Sequence, residues 1–415
     1  MLKSVLDNDF VLNLLNKIYV VLIGLGSSIL LARYLGVESR GDYSYIIQIV
    51  SIVTIVLNIG MHQSYSYFYR QDKNNIFQKY ASIFISQFLL NIVLALGLIV
   101  YTNNYILVYI LLLIPFSVLA QQLESIMTVE NIRKKIKVNY VINFLKFVFL
   151  SFLLIINEKT LMYPILILIG LYVVTFFFYL KSLKISNLVT MFNIGFLAKV
   201  ISFGWVPMLT ALLISLNYSV DIILLKHLSS SYNLGIYSIA AGLITYFWLV
   251  PDSFKEVLVS RVARNESLHS TLLSIKVSFL FLFIVITSFA LVGDFAVTLM
   301  YGKEYSESYE VTLILSLGTF SMIFYKMFGV ILLAEGKRYI YFFNLLVSVL
   351  LNIVLNFMLI PKFGMYGAAI STVFSYNVCG ILFLSYFIKA KGILLKEVLF
   401  FSKSDIEQLR KSIRR

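Results

Sequence analysis

The sequence predicts an all-α integral membrane protein with about twelve spanning helices, and three observations point to that class. Of the 415 residues, 60% are hydrophobic and only 13% are charged, with a mean hydropathy of +0.91. A soluble domain carries roughly a quarter charged residues, and no aqueous core hides this much apolar surface. The apolar residues also fall in runs of about 20, the length that crosses a hydrocarbon layer. Lys and Arg, finally, collect in alternate connecting segments, as they do on the cytoplasmic side of a bilayer.

The runs place spans near 10–34, 43–64, 80–101, 105–127, 138–156, 161–181, 197–224, 237–258, 271–292, 311–334, 339–360 and 366–388. The first is too long for the apolar region of a signal peptide and lacks a small-x-small cleavage site, so a retained span is expected. Only the polar hairpin Tyr101-Thr102-Asn103-Asn104-Tyr105 separates the third run from the fourth. Pro207 is expected to kink the seventh, because proline removes a backbone donor and clashes with the preceding turn. Near the end, Gly364 and Gly367 flank a tight turn after Pro361, and Gly367-Ala368-Ala369 lets helices approach closely.

Charge fixes the expected orientation. With the N-terminus inside, only Arg33, Arg40, Lys159, Lys226, Lys303 and Lys362 of the 34 Lys and Arg fall outside. Lys17, Lys146, Lys276 and Lys326 lie within spans, and all the others fall inside. A register shifted by one span reverses this bias, so both termini are expected in the cytoplasm. The net charge of +14 then reflects basic loops and a basic tail against an anionic inner leaflet, without nucleic acid. Cys379 is the single cysteine, which excludes an intrachain disulfide, and His62, His227 and His269 lack ligand spacing, so no metal is expected. No Gly-Lys-Ser/Thr triplet occurs, which removes a P-loop ATPase. No cofactor is expected.

A weak internal repeat divides the chain. Leu31-Ala32-Arg33-Tyr34-Leu35 ends the first span and Gly41-Asp42-Tyr43-Ser44 opens the second. Leu224-Leu225-Lys226-His227-Leu228 and Gly235-Ile236-Tyr237-Ser238 repeat that pattern about half a chain later. Two six-helix lobes in parallel orientation are the simplest cause: 1–185, 186–388 and then a basic cytoplasmic tail over 389–415, with 182–195 as the linker. Transporters are commonly built this way, with the substrate site between the halves.

The same residues carry a family resemblance. Leu35-Gly36 followed by Gly41-x-Tyr43 resembles the polysaccharide transporter branch of the multidrug/oligosaccharidyl-lipid/polysaccharide exporter superfamily. Further on come Tyr301-Gly302-Lys303-Glu304-Tyr305 and Leu333-Ala334-Glu335-Gly336-Lys337, then Asn344, Asn352 and the series from Leu359 to Ala369. Their order is similar to that of the O-antigen and capsule repeat-unit flippases (Wzx-type). The resemblance implies a MATE-like fold around a central cavity lined by spans 1, 2, 7 and 8. It implies a bacterial inner-membrane flippase, moving undecaprenyl-pyrophosphate-linked oligosaccharide outward by alternating access. The partners it implies are that glycan lipid and a polysaccharide polymerase or chain-length machinery.

Charged and polar residues inside spans are functional candidates, since each costs several kcal/mol unless it faces a cavity or a partner. Lys17, on a helix with Asn13 and Asn16, is placed to attract a pyrophosphate head group or to snorkel to the interface. Asp221 lies deep in span 7 with Asn217 one turn earlier on the same face. It is a candidate for taking a proton or Na⁺, or for pairing with Lys226. Lys326 and Lys146 sit near the middle of spans 10 and 5 without an obvious local acid, and Glu124 and Asp294 are expected to be interface residues or partners for such cations. His62, Gln63, Tyr65 and Tyr67 end span 2, and Trp248 and Asp252 lie late in span 8, where aromatic faces stack on sugars or mark a membrane interface. A drug or small-solute exporter of the same superfamily is the alternative function. A polysaccharide polymerase or ligase fits poorly, because every outer loop is expected to be about ten residues or fewer and no acid pair or nucleophile–base set is available.

Overall fold

The structure is a computed structural model that describes residues 2–71, 76–156, 158–181, 192–262, 268–403 and 405, with side chains described from Ile18 onward except at 62, 257 and 259–262. The described residues form helices and no strand. In chain order they are α1 (Leu2–Leu35), α2 (Val37–Asn58), α3 (Met61–Gln71), α4 (Ile76–Val100), α5 (Tyr105–Glu130), α6 (Ile132–Leu153), α7 (Met162–Leu180) and α8 (Ile194–Leu228). Then follow α9 (Ser231–Phe247), α10 (Leu249–Val262), α11 (Leu268–Tyr301), α12 (Ser308–Ala334), α13 (Arg338–Lys391) and α14 (Leu395–Leu399).

Among the described residues, ten stretches are long and apolar enough to cross a membrane, α2 with α3 counting as one of them, and the bent pair α9–α10 makes an eleventh. Helix α13 supplies one more. Its 54 residues would run about 80 Å if straight, far beyond a hydrocarbon core. It turns back at Gly364, where φ is +54° and ψ −129°, a conformation open to glycine. At Gly367 a side chain would strike the Leu359 carbonyl, so the two arms of α13 meet backbone to backbone. Twelve crossings result, as the apolar runs predict. Helix α8 stays helical through Pro207.

The chain forms two compact units, Met1–Leu216 and Asn217–Arg415, and the boundary between them falls inside α8. Most of the linker read from the sequence, 182–191, lies outside the described residues.

In the first unit α5 is the central helix, packed by α2, α3, α4, α6 and α7. One apolar cluster gathers Tyr65, Tyr80, Phe84, Ile126 and Tyr179, and another gathers Leu31, Tyr34, Ile46, Leu113 and Ile165. Lipid is as apolar as these side chains, so helices there are joined by packing and by hydrogen bonds. Such bonds are present: Thr54 to Ser117 at 3.0 Å, Gln122 to Gln87 at 2.8 Å, and the Tyr65 hydroxyl to Glu130 at 2.6 Å. Tyr65, at the end of span 2, is fully buried and is a core residue. Span 2 itself is broken between α2 and α3, at Ile59 (φ +46°) and Gly60 (φ +63°). The backbone of Gly204 on α8 fills the notch, leaving no room for a side chain at either glycine.

In the second unit α12 is the central helix, packed by α9, α10, α11 and both arms of α13. Between α12 and α13, Glu335 accepts hydrogen bonds from Lys337 at 2.8 Å and Lys391 at 2.6 Å, which hold its carboxyl below the usual range. Lys276, on α11, meets a counter-ion 129 residues away: its Nζ lies 2.6 Å from Asp405, and both side chains are buried. The Ser402 amide and hydroxyl also donate to that carboxylate, at 2.7 and 2.8 Å. Burial alone would raise the pKa of Asp405; these donors outweigh it and hold the carboxyl at about 2. A depressed carboxyl stabilises the fold fully above its unfolded value near pH 4 and loses that contribution as pH falls toward 2. At neutral pH the tail is therefore clamped to α11. Asp405→Asn should strand the Lys276 ammonium and cost about 3–5 kcal/mol, and adding Lys276→Met should recover most of the loss. Thermal unfolding in detergent at pH 7 measures both.

Candidate functional site

The polar residues of the second unit converge on two clusters. The first grows from α8. Asn217 and Asp221 lie one turn apart on one face and are buried, at 2% and 3% exposure. One Asp221 carboxylate oxygen accepts from the Tyr237 hydroxyl of α9 and from Thr372 Oγ1 of α13, the latter at 3.0 Å. Asn352 donates to that same Thr372 oxygen at 3.4 Å, and Asn356 donates to Asn352 Oδ1 at 2.6 Å. Beside it, Asn217 Nδ2 donates to Ser348 Oγ at 2.7 Å, and Ser348 is paired with Ser375. Helix α8 thus meets α9 and both arms of α13 through side-chain oxygens. Asn217 Oδ1 and Asn356 Oδ1 are buried without a partner among the described residues.

The second cluster surrounds a cation. Ser230 caps α9 by accepting from the Asn233 amide. Helix α9 runs to Phe247, the chain bends by 47° at Trp248, and Pro251 sits in the first turn of α10, where its missing N–H is no loss. The bend aims Trp248 and Asp252 at α12. Lys326 on α12 is 5% exposed, with its Nζ 2.6 Å from Asp252 Oδ1, 4.4 Å from the centre of the Trp248 ring and 5.6 Å from that of Tyr218. The two aromatic faces take up charge that water would otherwise solvate. The pair is asymmetric: the Lys326 side chain is 6% exposed and that of Asp252 43%. A buried ammonium thus points to an accessible carboxylate.

The structure brings together Asn217 and Asp221 in one cluster and Trp248, Asp252 and Lys326 in the other. It corrects the expectation that Lys326 lacks an acid: Asp252 is its partner, 74 residues away and delivered by the bend at Trp248. Glu124 serves Lys135 instead, at 3.0 Å, and Asp294 is exposed. Asp221 is bonded to Tyr237 and Thr372, while Lys226 donates to Ser231 at 2.9 Å. Lys146 is half-buried on α6 with no ion pair among the described residues. The side chains of Asn13, Lys17 and His62 lie outside the described set. Tyr237 and Thr372 escape sequence reasoning, since a hydroxyl in an apolar run is common. Asn352, part of the family series, and Asn356 lie one turn apart in such a run, a spacing that marks a polar face.

Solved structures share this fold. A lipid II flippase MurJ in an inward closed conformation aligns with TM-score 0.79 over 97% of this chain and 92% of that chain, at 14% identity. An inward-facing multidrug resistance MATE family transporter of the MOP superfamily aligns with TM-score 0.70 over 89% and 94%, at 12% identity. Fold and site therefore define a multi-pass α-helical membrane protein with a MATE-like architecture. The profile of the polysaccharide biosynthesis protein family matches residues 6–250. The chain belongs to that family. It is also 28% identical over 171 residues to the capsular polysaccharide biosynthesis protein CapF of Staphylococcus aureus, a match that spans 40% of this chain and 43% of that relative.

Removing one member of the Lys326–Asp252 pair leaves the other charge uncompensated. Asp252→Asn should lower stability by about 2–3 kcal/mol, less than a fully buried pair because Asp252 is 43% exposed. The double variant Lys326→Met/Asp252→Asn should be more stable than Asp252→Asn alone. A double-mutant cycle by chemical denaturation in detergent gives the coupling.

Proposed function

We propose that this protein is a flippase. It moves undecaprenyl-pyrophosphate-linked oligosaccharide repeat units of a surface polysaccharide, a capsule or an O-antigen, across the bacterial inner (plasma) membrane. Transport runs from the cytoplasmic to the outer leaflet by alternating access, without enzymatic chemistry. The observation that carries this reading is the combination of family and architecture. A chain of the polysaccharide biosynthesis family is made almost wholly of spanning helices on a fold shared with transporters, which suits moving a glycan carrier rather than synthesising it. The name of the Staphylococcus aureus relative supports a capsular substrate.

In this reading the N- and C-termini are cytoplasmic, and 1–185 and 186–388 act as two lobes followed by the tail 389–415. Lys326 is the cation for the pyrophosphate, and Asp252 is its counter-ion when no substrate is present. An incoming diphosphate competes with Asp252 for the ammonium, and Trp248 and Tyr218 keep the lysine charged in apolar surroundings. Asn13, Lys17, His62 and Asn217 are further candidates for contacting the head group or the sugars. Asp221 is the candidate for ion coupling. Its carboxylate, the Thr372 hydroxyl and the Asn352 and Asn356 carbonyls are hard oxygens of the kind that take a proton or Na⁺. A polysaccharide polymerase would receive the flipped unit.

Complementation tests this. The gene should restore the surface-polymer ladder of a host that lacks its own repeat-unit flippase and makes a matching glycan. Lys17→Ala, Lys326→Met and Asp221→Asn, at wild-type membrane levels, should each reduce the ladder at least tenfold. An intact surface polymer after deletion in the native organism would instead indicate a drug or small-solute exporter of the same fold.

A further inference from the structure

A cavity of about 430 Å³ opens in the first unit, where the start of α6 meets the end of α7. Its walls are Asn131, Arg133, Lys134, Lys137, Val138, Val141 and Phe178. On α6, Arg133, Lys137 and Val141 follow one another at four-residue intervals, and Lys134 and Val138 fall beside them on the same face. The stripe therefore changes from cationic to apolar within about 13 Å along the helix. Phe178 on α7 continues the apolar end, and Val141 and Phe178 are 42% and 40% exposed.

Basic residues at this end of the helices need no ligand to explain them. A cavity with a cationic mouth and an apolar wall is a different feature. The carboxylates that would neutralise it are committed elsewhere: Glu130 accepts from Tyr65 at 2.6 Å, and Glu124 pairs with Lys135 at 3.0 Å. Arg133, Lys134 and Lys137 form no ion pair among the described residues. Asn131 caps α6 by accepting from the Lys134 amide at 3.0 Å, which fixes the helix start and the fan of side chains around it.

We propose that this cavity binds an anionic phospholipid of the adjacent leaflet. The phosphate would sit among Arg133, Lys134 and Lys137, and an acyl chain would lie along Val138, Val141 and Phe178. A soluble anion uses only the mouth, and a zwitterionic lipid cancels its own phosphate with a cationic head. Only an anionic lipid uses both halves. Placing it in the cytoplasmic leaflet rests on the orientation proposed above; the lipid class does not.

The test uses the full-length protein in phosphatidylcholine nanodiscs, titrated with phosphatidylglycerol and read by thermal shift and by native mass spectrometry of retained lipid. Each cation removed should weaken binding roughly five-fold, and the triple variant Arg133→Ala/Lys134→Ala/Lys137→Ala about 100-fold. The tail variant Lys389→Ala/Lys396→Ala/Lys403→Ala removes the same charge elsewhere and should bind as the wild type does. Phe178→Asn should weaken the lipid and leave inorganic phosphate unaffected. Equal loss in both triple variants would overturn the proposal in favour of net charge alone. Saturation by inorganic phosphate at the concentration that phosphatidylglycerol requires would overturn the lipid assignment. A triple variant that melts below the wild type in pure phosphatidylcholine is replaced by Arg133→Gln/Lys134→Gln/Lys137→Gln, for which the same outcomes hold.

Discussion

Inside a hydrocarbon layer no water completes a hydrogen bond, so every polar group within a span must find its partner in the protein or bear the full cost of desolvation. The backbone meets this constraint by being helical wherever it crosses. Where the helix breaks, other groups step in: the Gly204 backbone lies in the notch at Ile59–Gly60, and the Asp252 amide donates to Trp248 O at 2.8 Å across the bend. Side chains meet it by pairing across helices. In each unit the most heavily packed helix, α5 or α12, is the one with the most neighbouring helices to supply partners.

The two units answer the constraint differently. The first joins helices mainly through neutral bonds among Thr, Ser and Gln, and its buried carboxylate, Asp42, lies near the start of α2 and accepts from Tyr105 at 3.2 Å. The second buries a carboxylate at Asp221 and ammonium groups at Lys276 and Lys326, each bonded to groups from other elements. Replacing such pairs by apolar residues is often neutral for stability, so stability alone does not account for them. A buried charge with a movable partner is useful where a charged ligand or ion must enter and leave. Lys276 and Asp405, both fully enclosed, fit a structural clamp; Lys326, with its accessible Asp252, fits an exchange site.

Much of this was legible in the sequence, because a span is a local property. Twenty apolar residues in a row require a crossing whatever lies beside them, and the twelve runs became twelve crossings. The turn at Gly364 was legible for the same reason, since proline and glycine punctuate the chain locally. The breaks at Ile59 and Trp248 were not, because no proline precedes either and the bend is set by packing. Partners were the hardest part. Lys326 and Asp252 are 74 residues apart, and Lys276 and Asp405 are 129 apart, and no periodicity connects such positions. Lys326 and Asp252 are each legible nonetheless, because a charge in an apolar run is conspicuous alone; the hydroxyls of Tyr237 and Thr372 are not.

In the proposed function, the Lys326 ammonium exchanges the Asp252 carboxylate for the pyrophosphate of the carrier. The most direct measurement is translocation in proteoliposomes, using purified protein and a fluorescent polyprenyl-pyrophosphate oligosaccharide and counting the labelled head groups that reach the opposite leaflet. The wild type should translocate the label, inorganic pyrophosphate should compete, and Lys326→Met should lose both. Full translocation by a folded Lys326→Met protein, or pyrophosphate competition that survives in it, would show that Lys326 does not hold the pyrophosphate.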